Sequence, residues 1–202
     1  MKRLILFCAL LGLAAPLQAS TVVPDTLTGD VQWDSSQSPY IIQGKVDLPA
    51  GSSLQIGPGV KVLYQGVGEL AVEGTLVVAG SAAAPVVFDM SQSGIQSQFF
   101  LNGAQAQITN AKFLGGIFLG RNAQLNLESS ELTKGSGIYL QGKTTAYLRN
   151  NKIYGNATGA VLDGADLKAT FVFDTLVQNT YGLDLKNYAY LKFLDNSVHD
   201  NG

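Results

Sequence analysis

Short apolar segments recur along this chain, and within each segment polar residues take most of the alternate positions. When Ile108, Leu127, Leu148, Phe171 and Phe193 are aligned in one column as anchors, their spacings are 19, 21, 23 and 22 residues. Alternation with a period of two residues is typical of a half-buried β-strand and not of a helix. The pattern therefore predicts a repeat of about 20 residues that is built from short strands.

Two further columns divide each repeat into three strands. The residue five places after each anchor is apolar, namely Phe113, Leu132, Ile153, Leu176 and Val198. A third segment of the repeat begins with glycine, at Gly116–Leu119, Gly137–Leu140, Gly159–Leu162 and Gly182–Leu185. Upstream, we predict Leu54, Leu70 and Val87 as the anchors of shorter repeats.

Repeats of this kind bury their inward side chains by winding into a solenoid, in which each coil pairs with the next through parallel strands. The sequence therefore predicts an all-β solenoid of about eight coils over residues 41–202. Residues 20–40 contain Pro24, Trp33 and a polar stretch. We expect them to cap the amino-terminal opening, because an uncovered coil exposes strand edges.

The first 19 residues have the pattern of a signal peptide. Lys2 and Arg3 precede an apolar run from Leu4 to Ala15, and small residues stand near a cleavage point before Ser20. The run is shorter than the ~20 residues that a membrane-spanning helix needs. Cys8, the single cysteine, lies inside this run. The pattern predicts export to the periplasm or the extracellular space, with no membrane span in the mature form.

Amide and carboxylate side chains recur at the predicted corners of the solenoid. One column holds Asn151, Asp174 and Asn196, and a second holds Asn156, Asn179 and Asn201. Asn and Asp tolerate left-handed backbone conformations and bond to nearby backbone groups. We predict that these side chains form ladders along the turns; the alternative is a polar ligand site.

Two stretches resemble known β-helix repeats. Residues 151–159 and 196–202 are similar to repeats of the right-handed parallel β-helix superfamily, which includes pectate lyases and polygalacturonases. The stretch Tyr40–Tyr64 is similar to the opening coils of non-enzymatic bacterial exported members. The resemblance covers nearly the whole mature chain and implies a single-stranded right-handed parallel β-helix. It does not by itself imply a reaction.

The chain offers few residues for catalysis. The resemblance implies that lyases of this fold use clustered carboxylates, Ca²⁺ and a basic residue, and that the hydrolases use paired Asp residues. The mature chain has only two arginines, Arg121 and Arg149, and only one histidine, His199. Asp163 and Asp166 lie close together, but Lys186 stands in the column of Asp163. We therefore predict no catalytic residues, no metal site and no cofactor.

The charge composition argues against nucleic acid as a partner. The chain has a formal net charge of −2, with no basic surplus to neutralise a nucleic acid. In two predicted columns, residues of opposite charge lie side by side in neighbouring coils. The first column has Glu128 beside Arg149, and the second has Lys112, Glu131 and Lys152 in succession. Such charge columns are typical of a solvated surface and not of an acid–base site.

Several aromatic side chains are predicted to face outward. Phe118, Tyr139, Tyr147 and Tyr154 are the candidate ligand-binding residues, and Tyr181, Tyr188 and Tyr190 follow at later turns. Exposed rings can stack on sugars or contact a protein partner. The alternative is that Phe118 and Tyr139 simply stack on each other across neighbouring coils. Val172 and Leu194 share a column, which predicts a small apolar patch.

Two hypotheses of function follow. The first is a secreted or periplasmic non-enzymatic scaffold that binds a polysaccharide or an envelope protein. The second is a polysaccharide lyase or hydrolase whose site is assembled across coils from dispersed residues. We also expect edge-mediated self-association through residues 183–202, because the last repeat lacks its third strand.

Overall fold

The computed structural model describes residues 20–202, except for the side chains of residues 93–95. The signal peptide predicted over residues 1–19 lies outside the described residues. Two short 3₁₀ helices, Ser35–Gln37 and Ser91–Gln96, connect strands. Across residues 20–202, no helix has the length and apolar character needed to cross a membrane.

Twenty-four strands follow one another along the described chain. The first eight are β1 (Thr21–Val22), β2 (Asp30–Trp33), β3 (Tyr40–Ile42), β4 (Lys45–Leu48), β5 (Ser53–Ile56), β6 (Lys61–Tyr64), β7 (Glu69–Val72) and β8 (Thr75–Ala79). The next eight are β9 (Val86–Asp89), β10 (Gln98–Asn102), β11 (Gln105–Thr109), β12 (Ala111–Leu114), β13 (Ile117–Arg121), β14 (Gln124–Glu128), β15 (Glu131–Thr133) and β16 (Ile138–Gln141). The last eight are β17 (Thr145–Arg149), β18 (Lys152–Tyr154), β19 (Thr158–Asp163), β20 (Lys168–Val172), β21 (Thr175–Val177), β22 (Tyr181–Lys186), β23 (Tyr190–Leu194) and β24 (Ser197–His199).

The strands form three parallel sheets. Sheet A has the order β1-β3-β6-β9-β12-β15-β18-β21-β24, sheet B runs from β4 through β7, β10, β13, β16 and β19 to β22, and sheet C runs β2-β5-β8-β11-β14-β17-β20-β23. One strand from each sheet, in the order A, B, C, makes one coil. Coil 2 is thus β3–β5, and coil 8 is β21–β23. The predicted all-β solenoid of about eight coils, with three strands in each, is confirmed.

The carboxyl-terminal anchors were placed correctly. Ile108, Leu127, Leu148, Phe171 and Phe193 are register partners in successive strands of sheet C. The first four are buried, with 0–1% of their surface exposed. Inward residues of all three sheets together form one continuous apolar core.

The upstream anchors were wrong. Leu54, Leu70 and Val87 lie on sheets C, B and A respectively, so they do not share a column. The residues in register with Ile108 are Val78 and Ile56. The step from Val78 to Ile108 spans 30 residues because two connecting segments, including the second 3₁₀ helix, lengthen that coil. Apolar and polar residues alternate with the same period in every strand. A strand of the wrong sheet therefore aligns with the anchor column almost as well as the correct strand does.

The amino-terminal residues belong to the solenoid. The strands β1 and β2 pair with β3 and β5, and Thr26 bridges to Asp47 in sheet B. Residues 21–33 are therefore coil 1, and the predicted boundary at residue 40 does not separate a cap from the repeats. Val23, Leu27 and Trp33 are buried in this coil, so it covers the core at that end.

One residue at each of the last five corners between sheets C and A has a positive φ. These residues are Asn110, Ser129, Asn150, Phe173 and Asp195. Asn and Asp adopt this conformation with little strain, whereas Phe does so rarely. The predicted turn residues Asn151, Asp174 and Asn196 come directly after this position and do not have a positive φ. Their contribution to the corner comes through their side chains.

Candidate ligand-binding groove

A groove of about 720 Å³ runs along the outer face of sheet C, across coils 3–8. Two outward columns of the strands line it. The first column is Thr75, Gln105, Gln124, Thr145, Lys168 and Tyr190, and the second is Val77, Gln107, Asn126, Tyr147 and Thr170. Parallel pairing without a shift of register keeps each column straight, so the groove follows the axis of the solenoid.

The lining is rich in amides and hydroxyls and poor in charge. Lys168 is the only charged residue among the side chains that line the groove in the described chain. Asn126 lies at its centre and donates from Nδ2 to Glu128 Oε1 at 3.1 Å. Its Oδ1 is buried and has no hydrogen-bond partner among the described residues. A buried unpaired acceptor costs free energy unless a ligand or water donates to it.

The outward orientation predicted for Phe118 is wrong. Phe118 is 2% exposed, and its ring packs with the rings of Phe99 and Phe113 at centroid distances of 5.0 Å. The corner between Phe113 and Phe118 is one residue shorter than the corner between Leu132 and Ile138, so Phe118 pairs with Ile138 and not with Tyr139. A slip of one residue moves a side chain to the opposite face of a strand. Phe118 is therefore a core residue.

The three predicted tyrosines lie on three different faces. Tyr139 is on the outer face of sheet B, Tyr147 on that of sheet C and Tyr154 on that of sheet A. The ammonium of Lys152 lies 4.6 Å from the ring centroid of Tyr154, a cation–π contact. A ligand bound to one face contacts only one of these rings. Tyr147, which is 38% exposed, is the one that lines the groove.

Sequence reasoning missed most of the groove. Gln105, Gln107, Gln124 and Asn126 were not identified as candidates, although their amides occupy the outward positions of β11 and β14. It also missed Phe100 and Leu119, which pair with each other and precede Tyr139 in an outward column of sheet B. The adjacent Phe99 and Phe100 give no sequence signal for which ring faces inward. The run of outward amides was a usable signal for the groove.

The two predicted columns of turn residues form continuous hydrogen-bond ladders. Asn156 donates from its backbone N–H to Asn179 Oδ1 at 3.1 Å, and Asn179 donates in the same way to Asn201 at 3.0 Å. Asn151 donates to Asp174 Oδ1 from its backbone N–H and from Nδ2, at 2.7 and 2.9 Å. Asn151, Asn156, Asp174 and Asn179 are buried, Asn196 and Asn201 are half-buried, and all six are bonded to protein groups, which leaves little of them for a ligand.

Asp174 is the charged member of its ladder. It is 1% exposed, and burial raises the pKa of its carboxyl to about 6, against the opposing effect of hydrogen bonds from Asn151 and Val172. Its position within a column of amides gives it no neighbouring acid for paired acid–base chemistry.

Asp163, one of the two candidate metal ligands, lies beside a lysine of the next coil. Asp163 is the register partner of Lys186, as expected, and accepts a hydrogen bond from Asn187 at 2.6 Å. Within residues 20–202, no group of three or more His, Cys, Asp and Glu side chains is placed to hold a metal ion. His199 is exposed beside Asp200.

The predicted charge columns are confirmed in register. Glu128 lies beside Arg149, and Lys112, Glu131 and Lys152 follow one another in sheet A. Lys112 and Glu131 form an ion pair at 3.4 Å on the surface. Val172 and Leu194 are also neighbours, and Leu194 is 39% exposed.

The geometry defines a three-sheet parallel β-solenoid with a polar groove on one face. The family model described as "Right handed beta helix region" matches residues 93–202, just over half of the chain. The chain belongs to this right-handed β-helix family, and the predicted resemblance to the pectate-lyase-like superfamily is consistent with it. Searches of curated proteins and of solved structures each found no match. The family defines the fold and not a reaction.

Proposed function

We propose that this protein is an exported, non-enzymatic β-helix that binds a glycan chain in the groove of sheet C, as a scaffold of the cell envelope. The observation that carries the proposal is the lining itself, in which Gln, Asn and Thr side chains run beside the ring of Tyr147. The signal-peptide pattern of residues 1–19 supports export.

The lining suits the chemistry of a sugar. Each amide offers donors and an acceptor, and each threonine hydroxyl offers both, which matches sugar hydroxyls that donate and accept at once. An aromatic ring adds apolar area for the face of a sugar ring. Binding sites of this type combine a cleft with a few placed polar groups. The straight columns favour a ligand that extends along the solenoid.

The same lining argues for binding without catalysis. Hydrolysis of a glycosidic bond ordinarily needs two carboxyl groups on either side of the bond. No carboxylate is among the groove residues of the described chain, and Glu128 at the rim accepts a hydrogen bond from Asn126. These observations support the scaffold hypothesis over the lyase or hydrolase hypothesis.

A glycan array tests the proposal. The purified protein should bind a subset of linear glycans, and prolonged incubation with them should produce no unsaturated sugars and no new reducing ends. Retention of no glycan on the array would overturn the binding proposal. Release of either product, abolished by Arg149→Ala or Asp163→Asn, would establish the enzyme instead.

A further inference from the structure

Charged side chains are distributed unevenly along the groove. In coils 3–6 its lining carries only uncharged side chains, from Thr75 to Tyr147. Lys168 then enters the first column in coil 7, between Thr145 and Tyr190. Lys192 follows in the second column in coil 8, beside Thr170. The carboxyl-terminal end of an otherwise neutral groove therefore has the ammonium group of Lys168 in its lining, and that of Lys192 at the next position of the second column, just beyond the lining.

Neither ammonium group is neutralised by a neighbouring carboxylate. Three of the nine lysines of the described chain form ion pairs, with Nζ–O distances of 2.8 Å for Lys45, 3.4 Å for Lys112 and 3.0 Å for Lys186. Lys168 and Lys192 are exposed and belong to no ion pair within residues 20–202.

The nearest acids along the chain lie at the corners. Asp166 comes two residues before Lys168, and Asp195 directly follows β23. Neither lines the groove. Two like charges on adjacent strands of one face repel each other, and an anion between them relieves that repulsion.

Aromatic rings flank the first cation. Tyr147 stands in the neighbouring column one coil before Lys168, and Tyr190 stands in the same column one coil after it. Tyr190 is 61% exposed, so its ring is open to a ligand. A sugar ring at this point meets an aromatic surface and a positive charge together.

From this arrangement, and resting on the proposed glycan function, we propose that the ligand is a mostly neutral glycan with a sparse anionic substituent. The neutral sugars lie over coils 3–6, and the anionic sugar lies beside Lys168 and Lys192. The anion is a carboxylate, sulfate or phosphate group. A polymer charged at every sugar fits less well, because coils 3–6 offer no cation among their lining residues.

The test compares three classes of oligosaccharide of equal length by isothermal titration calorimetry: neutral, singly charged at one end, and charged at every sugar. The singly charged class is prepared with a carboxylate, a sulfate or a phosphate, which identifies the anion. We expect the singly charged ligand to bind about tenfold more tightly than the neutral one at low salt. We expect that advantage to shrink as salt screens the charges.

Two variants separate the cation effect from loss of structure. Lys168→Gln and Lys192→Gln should each remove most of the preference for the anion, measured as the ratio of the affinities for the singly charged and the neutral ligand within each variant. Lys143→Gln, an exposed lysine outside the groove lining, is the matched control and should keep the preference.

The outcomes distinguish this inference from the proposed function. If neutral and singly charged ligands bind equally well, or if Lys168→Gln keeps the preference, the inference is wrong while glycan binding stands. If the fully charged polymer binds best, the inference is also wrong. If none of the three classes binds, both proposals fail together.

Discussion

Asp174 occupies a ladder position that holds asparagine in the neighbouring coils. Asn151 and Asn196 donate from Nδ2 to the backbone carbonyls of Leu127 and Phe171, at 2.8 and 2.9 Å. An ionised carboxylate has no proton for the equivalent bond to the carbonyl of Leu148. Burial raises the pKa of Asp174 to about 6, above its ordinary value of 3.8. The folded protein therefore binds this proton more tightly than the unfolded chain does.

The consequence is a stability that falls as pH rises. Between about pH 4 and 6 the folded state holds more protons, so the free energy of unfolding decreases by on the order of 2 kcal/mol across that window. Asp174→Asn should flatten this part of the profile and raise stability at pH 7, measured by urea titration at several pH values. Asp195→Asn, at an exposed corner, is the control and should keep the wild-type slope. An unchanged slope in Asp174→Asn would show that this carboxyl does not titrate in the window.

Phe118 tests the register of coil 5. Its ring is buried among other phenylalanine rings, whereas Tyr139 is half-buried on the outer face. Phe118→Ala should reduce the free energy of unfolding by about 3–5 kcal/mol, and Tyr139→Ala by about 1 kcal/mol. Denaturant unfolding measures both. The reverse order would mean that Phe118 faces outward after all.

At the scale of elements, the ladders hold consecutive coils in register. Asn179 receives two hydrogen bonds from Asn156, and it donates to the carbonyl of Ile153 at 3.0 Å and to Asn201 at 3.1 Å. Each coil therefore satisfies backbone groups of the coil before it, away from water.

Removing the side chain of one ladder residue should reduce the free energy of unfolding. Asn179→Ala leaves several buried groups without partners, and we predict a loss of about 2–4 kcal/mol in thermal or chemical unfolding. Asn102→Ala, whose amide bonds to Glu73 at the surface, should cost less than about 1 kcal/mol. Equal losses for the two variants would contradict a structural role for the ladder.

The sequence predicts the carboxyl-terminal coils well because their length varies little and their corner residues repeat. The same reasoning fails upstream, where the connections before β9 and β10 lengthen one coil and alternation alone does not identify the sheet. It fails at Phe118 because the corner before β13 is one residue shorter than the corner before β16, which shifts β13 by one residue. The groove depends on which outward columns lie side by side, and that follows only once the register of several coils is known.

At the scale of the whole molecule, the two ends of the described solenoid differ. Coil 1 buries Val23, Leu27 and Trp33, whereas Leu185, Phe193 and Val198 on β22–β24 are 51%, 37% and 44% exposed. These strands are also the edges of their sheets. Exposed apolar edge strands favour pairing with another chain.

We therefore predict that a protein that ends at Gly202 self-associates through residues 183–202. Sedimentation velocity over a wide concentration range should show the average mass rising with concentration, and Val198→Lys should weaken that rise. Lys61→Ala, at an exposed position in coil 3, is the control and should behave like the wild type. A wild-type protein that stays monomeric at all concentrations would contradict this prediction.

We propose that the groove of sheet C binds a glycan and that the other two faces do not. The most direct test is the affinity of Tyr147→Ala and Tyr154→Ala for the glycan that the wild type binds best, measured by calorimetry. The two variants remove the same ring from different sheets. We expect Tyr147→Ala to weaken binding about tenfold, whereas Tyr154→Ala should stay within about twofold of the wild type. Equal losses, or a loss in Tyr154→Ala alone, would contradict it.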